Sequence, residues 1–499
     1  MRSVSSSRRA FALNVVRCAV VGFALACLPR HASAQAAGEL QAAASRLATA
    51  FEQSSKAVVG VSVYDLRTGE ALVDLRSGES FAPASNQKLL TSAFALARLG
   101  KDFAFTTRVY RVGEDVAVVG DGDPALGDPI LAAESGKSIY DELDRWAAAV
   151  KASFADAPVR NLLLCMRRSE PTGRHPDWPG DQHDRWYAAP ISELSFHNNC
   201  FDVMFTVAGG QATPAVTPAS RLIQIVNNVN TGGKATWSLR ANDDESQLTL
   251  VGSASKSSTE PQSVAANNPP LMLARTLVDR LALAGVTVTG EIRMVPYSGQ
   301  DLAAATELCT TATPLATAFA RANKRSLNMA AECIMLRAGD GTWPGSAAAM
   351  TAALSEHYGI SPGEVIIRDG SGLSHSNRVT PSAMARVLAT VACRQDAMTL
   401  ILSLPRGGVD GTLSGRFKEK PCLGRVLGKT GYIMGSSCLS GYVLDSENRA
   451  TLAFSILANR VPGGSGWQAK RMQDQICEAL VRHLDAEAPA PQATTTAAE

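Results

Sequence analysis

The chain of 499 residues predicts an α/β (α+β) fold: a helix–sheet–helix sandwich on an antiparallel sheet, interrupted by a β-rich insertion. Three observations predict it. Strand-like segments stand at both ends of the chain, with helical patterns between them. The middle, 105–297, is richer in short strand-like runs. The length exceeds what one ordinary core accommodates, so two or more domains are expected.

Taken in order, the first element is a targeting segment over 1–34. Arg2, Arg8, Arg9 and Arg17 precede an apolar run from Cys18 to Leu28, and Ala32-Ser33-Ala34 offers small residues for cleavage before Gln35. Ser7-Arg8-Arg9-Ala10-Phe11 fits a twin-arginine export signal and a general secretory signal about equally. Ala24-Leu25-Ala26-Cys27 is a poor lipid-attachment box, and no later stretch is long and apolar enough to span a bilayer. The reading is an exported, periplasmic protein without a transmembrane anchor.

Next, Val58–Leu66 and Ala71–Leu75 flank Arg67-Thr68-Gly69 as a hairpin. A buried helix begins near Ala84 and continues through the apolar run Leu89–Ala97. Within the insertion, Arg108–Val112, Val116–Gly120, Val203–Val207, Gln247–Gly252 and Val286–Ile292 read as strands. The helix Leu271–Ala284 stops at Gly285. A helical stretch, Tyr140–Phe154, interrupts the strands and suggests a second, nested boundary near 131–185. Ser326–Arg337 has a helical pattern, Val426–Tyr432, Ser440–Leu444 and Leu452–Asn459 read as successive strands, and Trp467–Leu484 as an amphipathic closing helix. The expected organisation is a signal over 1–34, a catalytic domain in two parts (35–104 and 298–485), two nested accessory domains over 105–297, and a disordered Ala/Pro/Thr/Gln-rich tail over 486–499.

Composition excludes little, but it does exclude a general nucleic-acid binder. Five of the 48 basic residues and none of the 46 acidic ones precede Gln35, so the remainder is slightly negative. Eight cysteines follow Gln35, with no Cys-x-x-Cys, which disfavours a zinc ribbon or dithiol redox site. Whether some pair in an oxidising compartment or serve as small buried apolar groups stays open. His175, Asp177, Asp181, His183 and Asp184 match no standard metal spacing and read as a polar loop.

Three strings carry the chemistry: Ser85-Asn86-Gln87-Lys88, Ser326-Leu327-Asn328 and Lys429-Thr430-Gly431. Each is weak alone, and two decoys exist. Ser253-Ala254-Ser255-Lys256 lies in a polar run with no scaffold, and Ser446-Glu447-Asn448 falls after Lys429, out of order. Ser85 instead opens the apolar helix, which puts Lys88 one turn away on the same face. A serine hydroxyl needs an adjacent base. Lys88 can be that base only when neutral, and a second cation nearby, Lys429, would push it toward neutrality. Ser326 can relay a proton to a leaving amine, and Asn328 can hold a peptide amide. Lys429 and Thr430 suit a free carboxylate, and Gly431 lets substrate lie along the strand. Backbone N–H groups of Ser85 and Tyr432 are the expected oxyanion donors. The chemistry requires neither a metal nor an organic cofactor. The spacing places the insertion, because 241 residues separate Ser85 from Ser326 but only 103 separate Ser326 from Lys429.

In this order the triple is the signature of penicillin-binding proteins and serine β-lactamases. The resemblance runs further. Val118–Leu126, Tyr187–Ser192, Arg368–Ser374, Leu404-Pro405 through Gly411-Thr412-Leu413, and Glu332 are similar to strings of penicillin-binding protein 4 type D-Ala-D-Ala carboxypeptidases. The resemblance implies a transpeptidase/β-lactamase-like domain with accessory domains between the first two motifs. It also implies an exported serine hydrolase of peptidoglycan stem peptides, often with endopeptidase activity, that β-lactams acylate at Ser85. Self-association as a homodimer stays open. Two rivals remain. A serine β-lactamase would need a deacylating Glu-x-x-Leu-Asn string, which is missing between Ser326 and Lys429. A non-catalytic wall-binding protein would make its contacts through the insertion.

Overall fold

The computed structural model describes residues 30–167, 172–297 and 302–487. The expected signal before Arg30 lies outside the described residues, as does the tail beyond Glu487. Residues 30–34 already belong to a helix, Arg30–Ser55, continuous across the expected cleavage point. The closing helix, Gly466–Glu487, reaches two residues into the expected tail.

One five-stranded sheet joins the two ends of the chain. Its order is Val426–Ile433, Ser436–Leu444, Ala450–Asn459, Val58–Asp65, Ala71–Leu75, every neighbour antiparallel. Ser436–Leu444 is buried at every position, because layers cover both faces of a central strand. On one face pack the first and last helices, through Leu40, Ala44, Ala48 and Phe51 against Met472, Ile476 and Leu480. On the other face lies the larger core, with the helices Gln87–Leu99, Asn328–Ala338 and Pro381–Ala392. Leu89, Leu90 and Phe94 are fully buried there. Each contributes about 1.5–3 kcal/mol through burial, which seats the helix that follows Ser85.

A second five-stranded sheet runs Ile292–Pro296, Leu162–Met166, Asp115–Gly120, Ala104–Val112, Thr306–Pro314. The helices Asp141–Phe154 and Pro269–Leu283 pack against it around Trp146, Leu273 and Leu277. This part also holds two three-stranded sheets, Gln224–Asn230, Gln247–Ser253, Ser238–Ala241, and Gln262–Ala265, Cys200–Ala208, Gln211–Thr217, and a short pair, Thr172–Gly173 with Ile191–Ser192.

Three local expectations differ from the structure. Val286–Ile292 is not a strand. The strand is Ile292–Pro296, and Val288 makes only one isolated bridge, to Val159. The second sheet also continues past 297, because Thr306–Pro314 pairs antiparallel with Ala104–Val112. Finally, Ser326 is not helical. It sits at φ 59°, two residues ahead of the helix Asn328–Ala338. Among the described residues no helix is long and apolar enough to cross a membrane.

Candidate active site

Ser85 lies in a single tight turn, Ala84–Asn86, that feeds directly into the helix Gln87–Leu99. Ala84 is held at φ 47°, a left-handed conformation that costs free energy in a residue with a Cβ and persists where surroundings fix it. Gly372 provides one such constraint. It packs so tightly on this turn that an added Cβ would lie 1.8 Å from the Ala84 carbonyl oxygen.

Lys88 is completely buried, and its Nζ has three oxygen neighbours: Ser85 Oγ at 3.0 Å, Asn328 Oδ1 at 2.6 Å and the Ser371 carbonyl at 2.8 Å. As an ammonium it donates to all three. Loss of one proton leaves a lone pair able to accept the Ser85 hydroxyl proton. Burial pushes Lys88 down to about 7, against the upward pull of Asp369 and Glu332. The cause therefore differs from the sequence expectation: desolvation, rather than the second cation, dominates.

Lys429 is also fully buried, on the edge strand Val426–Ile433. Its Nζ donates to Ser326 Oγ at 2.9 Å and to the Thr430 carbonyl at 2.7 Å. Burial first, and the charge of Lys88 second, hold Lys429 well below the ordinary lysine range. Thr430 Oγ1 meets Thr412 Oγ1 at 2.8 Å. At Gly431 the close approach leaves no room for a side chain: a Cβ there would fall 2.8 Å from the Pro83 carbonyl and 3.1 Å from the Ser85 nitrogen, so the strand and the Ser85 turn touch through backbone. Tyr432 projects outward, two-thirds exposed.

The structure thus brings Ser85, Lys88, Ser326, Asn328, Lys429, Thr430 and Gly431 into one cluster from three distant stretches of chain. The decoys stay apart from it. Ser253 Oγ donates to the Lys234 carbonyl, and Asn448 accepts from Arg406.

Four contributors were present in the sequence without an assigned role. The Ser371 carbonyl is one of the three partners of Lys88. The Tyr187 carbonyl accepts from Asn328 Nδ2 at 2.8 Å and fixes the amide orientation. Glu332, fully buried, accepts the backbone N–H groups of Gly370 and Ser371 at 3.0 and 2.7 Å. Asp369, also buried, accepts those of Gly372 and Ser374 at 2.8 and 2.6 Å. Burial, with Asp369 nearby, raises Glu332 above the ordinary carboxylate range. The signal that could have exposed them was the run Asp369-Gly370-Ser371-Gly372, whose glycines let a loop approach another backbone.

His175 packs edge-on against Trp343, with ring centroids 5.5 Å apart, and its Nδ1 accepts the Asp177 N–H. No group of three or more potential metal ligands occurs among the described residues. Cys200, Cys422, Cys438 and Cys477 are buried free thiols, and Cys393 is an exposed one.

Residues 40–482 match the profile of the D-Ala-D-Ala carboxypeptidase 3 (S13) family. A D-alanyl-D-alanine carboxypeptidase of Actinomadura sp. is 31% identical over 465 residues, covering 87% of this chain and 83% of its own. The chain belongs to the D-Ala-D-Ala carboxypeptidase 3 (S13) family. It is therefore a D-Ala-D-Ala carboxypeptidase, a hydrolase. D-alanyl-D-alanine carboxypeptidase DacB of Haemophilus influenzae is 24% identical over 408 residues, covering 78% of this chain and 83% of its own. The crystal structure of penicillin binding protein 4 from Haemophilus influenzae superposes with a TM-score of 0.71 at 22% identity, over 87% of this chain and 98% of that one. That likeness gives the fold, and the expected penicillin-binding/β-lactamase-like class is the one observed.

Proposed function

We propose that this family member works through an acyl-enzyme on Ser85. The observation that carries the reading is the fully buried Lys88 amine, 3.0 Å from Ser85 Oγ and held near 7 by desolvation. Ser85 Oγ attacks the carbonyl between two D-alanines of a stem peptide while its proton passes to Lys88 Nζ. The N–H groups of Ser85 and Tyr432 stabilise the oxyanion. Asn328 holds the peptide amide, and Lys429 with Thr430 holds the terminal carboxylate. Ser326, bonded to Lys429, relays a proton to the leaving amine. D-Ala departs, and water then releases the shortened peptide.

The same site would cleave a D-Ala cross-bridge, since the leaving amine differs only in what it carries, and β-lactams would acylate Ser85 as mimics of the D-Ala-D-Ala end. The catalytic unit is assembled from the chain before Ala104 and the chain from Leu315 onward, with the part built on the sheet that Ala104–Val112 and Thr306–Pro314 share inserted between its first two motifs. Export to the periplasm through the 1–34 signal suits this substrate, whose location is outside the cytoplasm.

The test is product analysis by mass on a free stem pentapeptide and on cross-linked muropeptides. The expected result is loss of one D-Ala from the former and resolution of the dimer in the latter, both abolished in Ser85→Ala. Unchanged D-Ala release by Ser85→Ala would sink the reading.

A further inference from the structure

Beside the catalytic cluster lies a second, polar cleft of about 690 Å³, between the segment 181–187 and the edge strand Gln262–Ala265. Asp181, Gln182, Arg185, Trp186, Gln262 and Ser263 line it. None of Ser85, Lys88, Ser326, Asn328 or Lys429 does. Its walls are held in place from behind. Arg185 bridges to Val264, and Ala265 N–H donates to the Asp184 carbonyl at 3.0 Å. Tyr187 Oη donates to Gln182 Oε1 at 3.0 Å.

Three features define what would fit. Trp186 leaves 43% of its surface open to solvent, edge-on to Tyr187 at 5.8 Å, and offers an apolar face beside polar groups. Gln262 supplies a carboxamide that both donates and accepts, Gln182 keeps its NH2 as a donor while its oxygen takes the Tyr187 hydroxyl, and Ser263 Oγ, whose proton goes to Asp202, can accept. Asp181 and Arg185 give the cleft charges of both signs, which disfavours a polyanion and suits a neutral, hydroxyl-rich ligand.

Position supplies the remaining argument. The chain from cleft to nucleophile is short: the Tyr187 carbonyl accepts from Asn328 at 2.8 Å, Asn328 accepts from Lys88 at 2.6 Å, and Lys88 lies 3.0 Å from Ser85. Four extended residues span roughly 13–14 Å. A sugar carrying a stem peptide can therefore rest in the cleft while the fourth residue of that peptide lies at Ser85.

We infer that the cleft formed by Trp186, Arg185, Gln182 and Gln262 binds the N-acetylated amino-sugar portion of the glycan strand. Trp186 stacks on the pyranose ring, and the two glutamines bond its acetamide and hydroxyls. This inference rests on the reading of the active site as acting on peptidoglycan. It goes beyond it, because it makes the enzyme a reader of the sugar as well as of the peptide.

Binding of the peptide-free disaccharide of N-acetylglucosamine and N-acetylmuramic acid tests it, by calorimetry and tryptophan fluorescence on the whole protein. Saturable binding is expected, weakened at least tenfold by Trp186→Ala and also by Gln262→Ala, an exposed position on an edge strand. In parallel, KM for a muramyl pentapeptide should lie below that for the free pentapeptide, and the ratio should collapse toward one in either variant. No disaccharide binding, or binding equal in all three proteins, overturns the inference. A peptide without sugar that binds in a Trp186-dependent way, where the disaccharide does not, overturns the sugar assignment in favour of a second peptide site. Failure of the catalytic reading itself would appear separately, as absence of D-Ala release from the free pentapeptide by the unmodified protein.

Discussion

Lys88 Nζ lies closer to Asn328 Oδ1, at 2.6 Å, than to Ser85 Oγ, at 3.0 Å. The carboxamide, itself fixed through Nδ2 on the Tyr187 carbonyl, therefore sets where the amine sits. Replacing Asn328 by Ala removes one of three partners of a buried amine. kcat/KM for D-Ala release is expected to fall about a hundredfold, in line with misplacement of a reacting group. Asn328→Asp instead puts a carboxylate against the amine. An opposite charge at such range raises a pKa by roughly 1–3 units, so the acid limb of the pH profile should move to higher pH. Parallel pH–rate profiles of the two variants separate these effects.

The buried Lys88 amine gives the unmodified enzyme a pH dependence of definite sign. In the proposed mechanism Lys88 is the base and must be neutral, and burial brings it down to about 7. kcat/KM should therefore rise with pH through about 7 and level off above it. Glu332 and Asp369 pull Lys88 upward, so Glu332→Gln should move that limb to lower pH. A limb that stays in place in Glu332→Gln would assign the titration to another group.

Gly431 on the edge strand touches the turn that carries Ser85. A Cβ there would meet the Pro83 carbonyl at 2.8 Å, Asn86 Oδ1 at 3.0 Å and Ser85 N at 3.1 Å, and two of these are backbone atoms that cannot swing aside. Gly431→Ala should cut the rate of acylation by about a hundredfold, since a displaced strand shifts both the oxyanion donors and Lys429. Stopped-flow acylation by a chromogenic β-lactam, with a thermal melt beside it, checks this.

Arg321 and Asp128 form a buried ion pair, Nε to Oδ2 at 2.5 Å, between the helix Leu315–Lys324 and the inserted segment. Asp128 also caps the helix Pro129–Ser135, accepting from the N–H groups of Ile130 and Leu131. Removing one partner leaves an unpaired buried charge, so Arg321→Ala should cost about 3–5 kcal/mol. Urea unfolding measures it, and replacing both partners with apolar residues should recover part of the loss.

How much of this was legible in the sequence depended on distance along the chain. The turn-plus-helix at Ser85 could be read, because Ser85 and Lys88 share one helical face and the apolar run Leu89–Ala97 announces burial. The strands near Lys429 could be read too, since Leu452–Ala458 is apolar at every position but Ser455. The cause of the Lys88 shift could not: complete burial depends on helices from elsewhere in the chain. The Ser371 carbonyl, 283 residues from Lys88, left only an indirect sign, the glycines on either side of it, because a backbone acceptor leaves no trace in its own residue identity. Ser326 reads as helical because the pattern behind it is helical, and only its positive φ separates it. Thr306–Pro314 escapes a local reading because it completes a sheet whose partner, Ala104–Val112, lies some 200 residues earlier.

The central claim is that Ser85 forms the covalent bond, and mapping a penicilloyl adduct by mass spectrometry of the digested protein tests it most directly. A long-lived adduct confined to the peptide containing Ser85, and absent from Ser85→Ala, is expected. An adduct on Ser326, or D-Ala release that persists in Ser85→Ala, would contradict it.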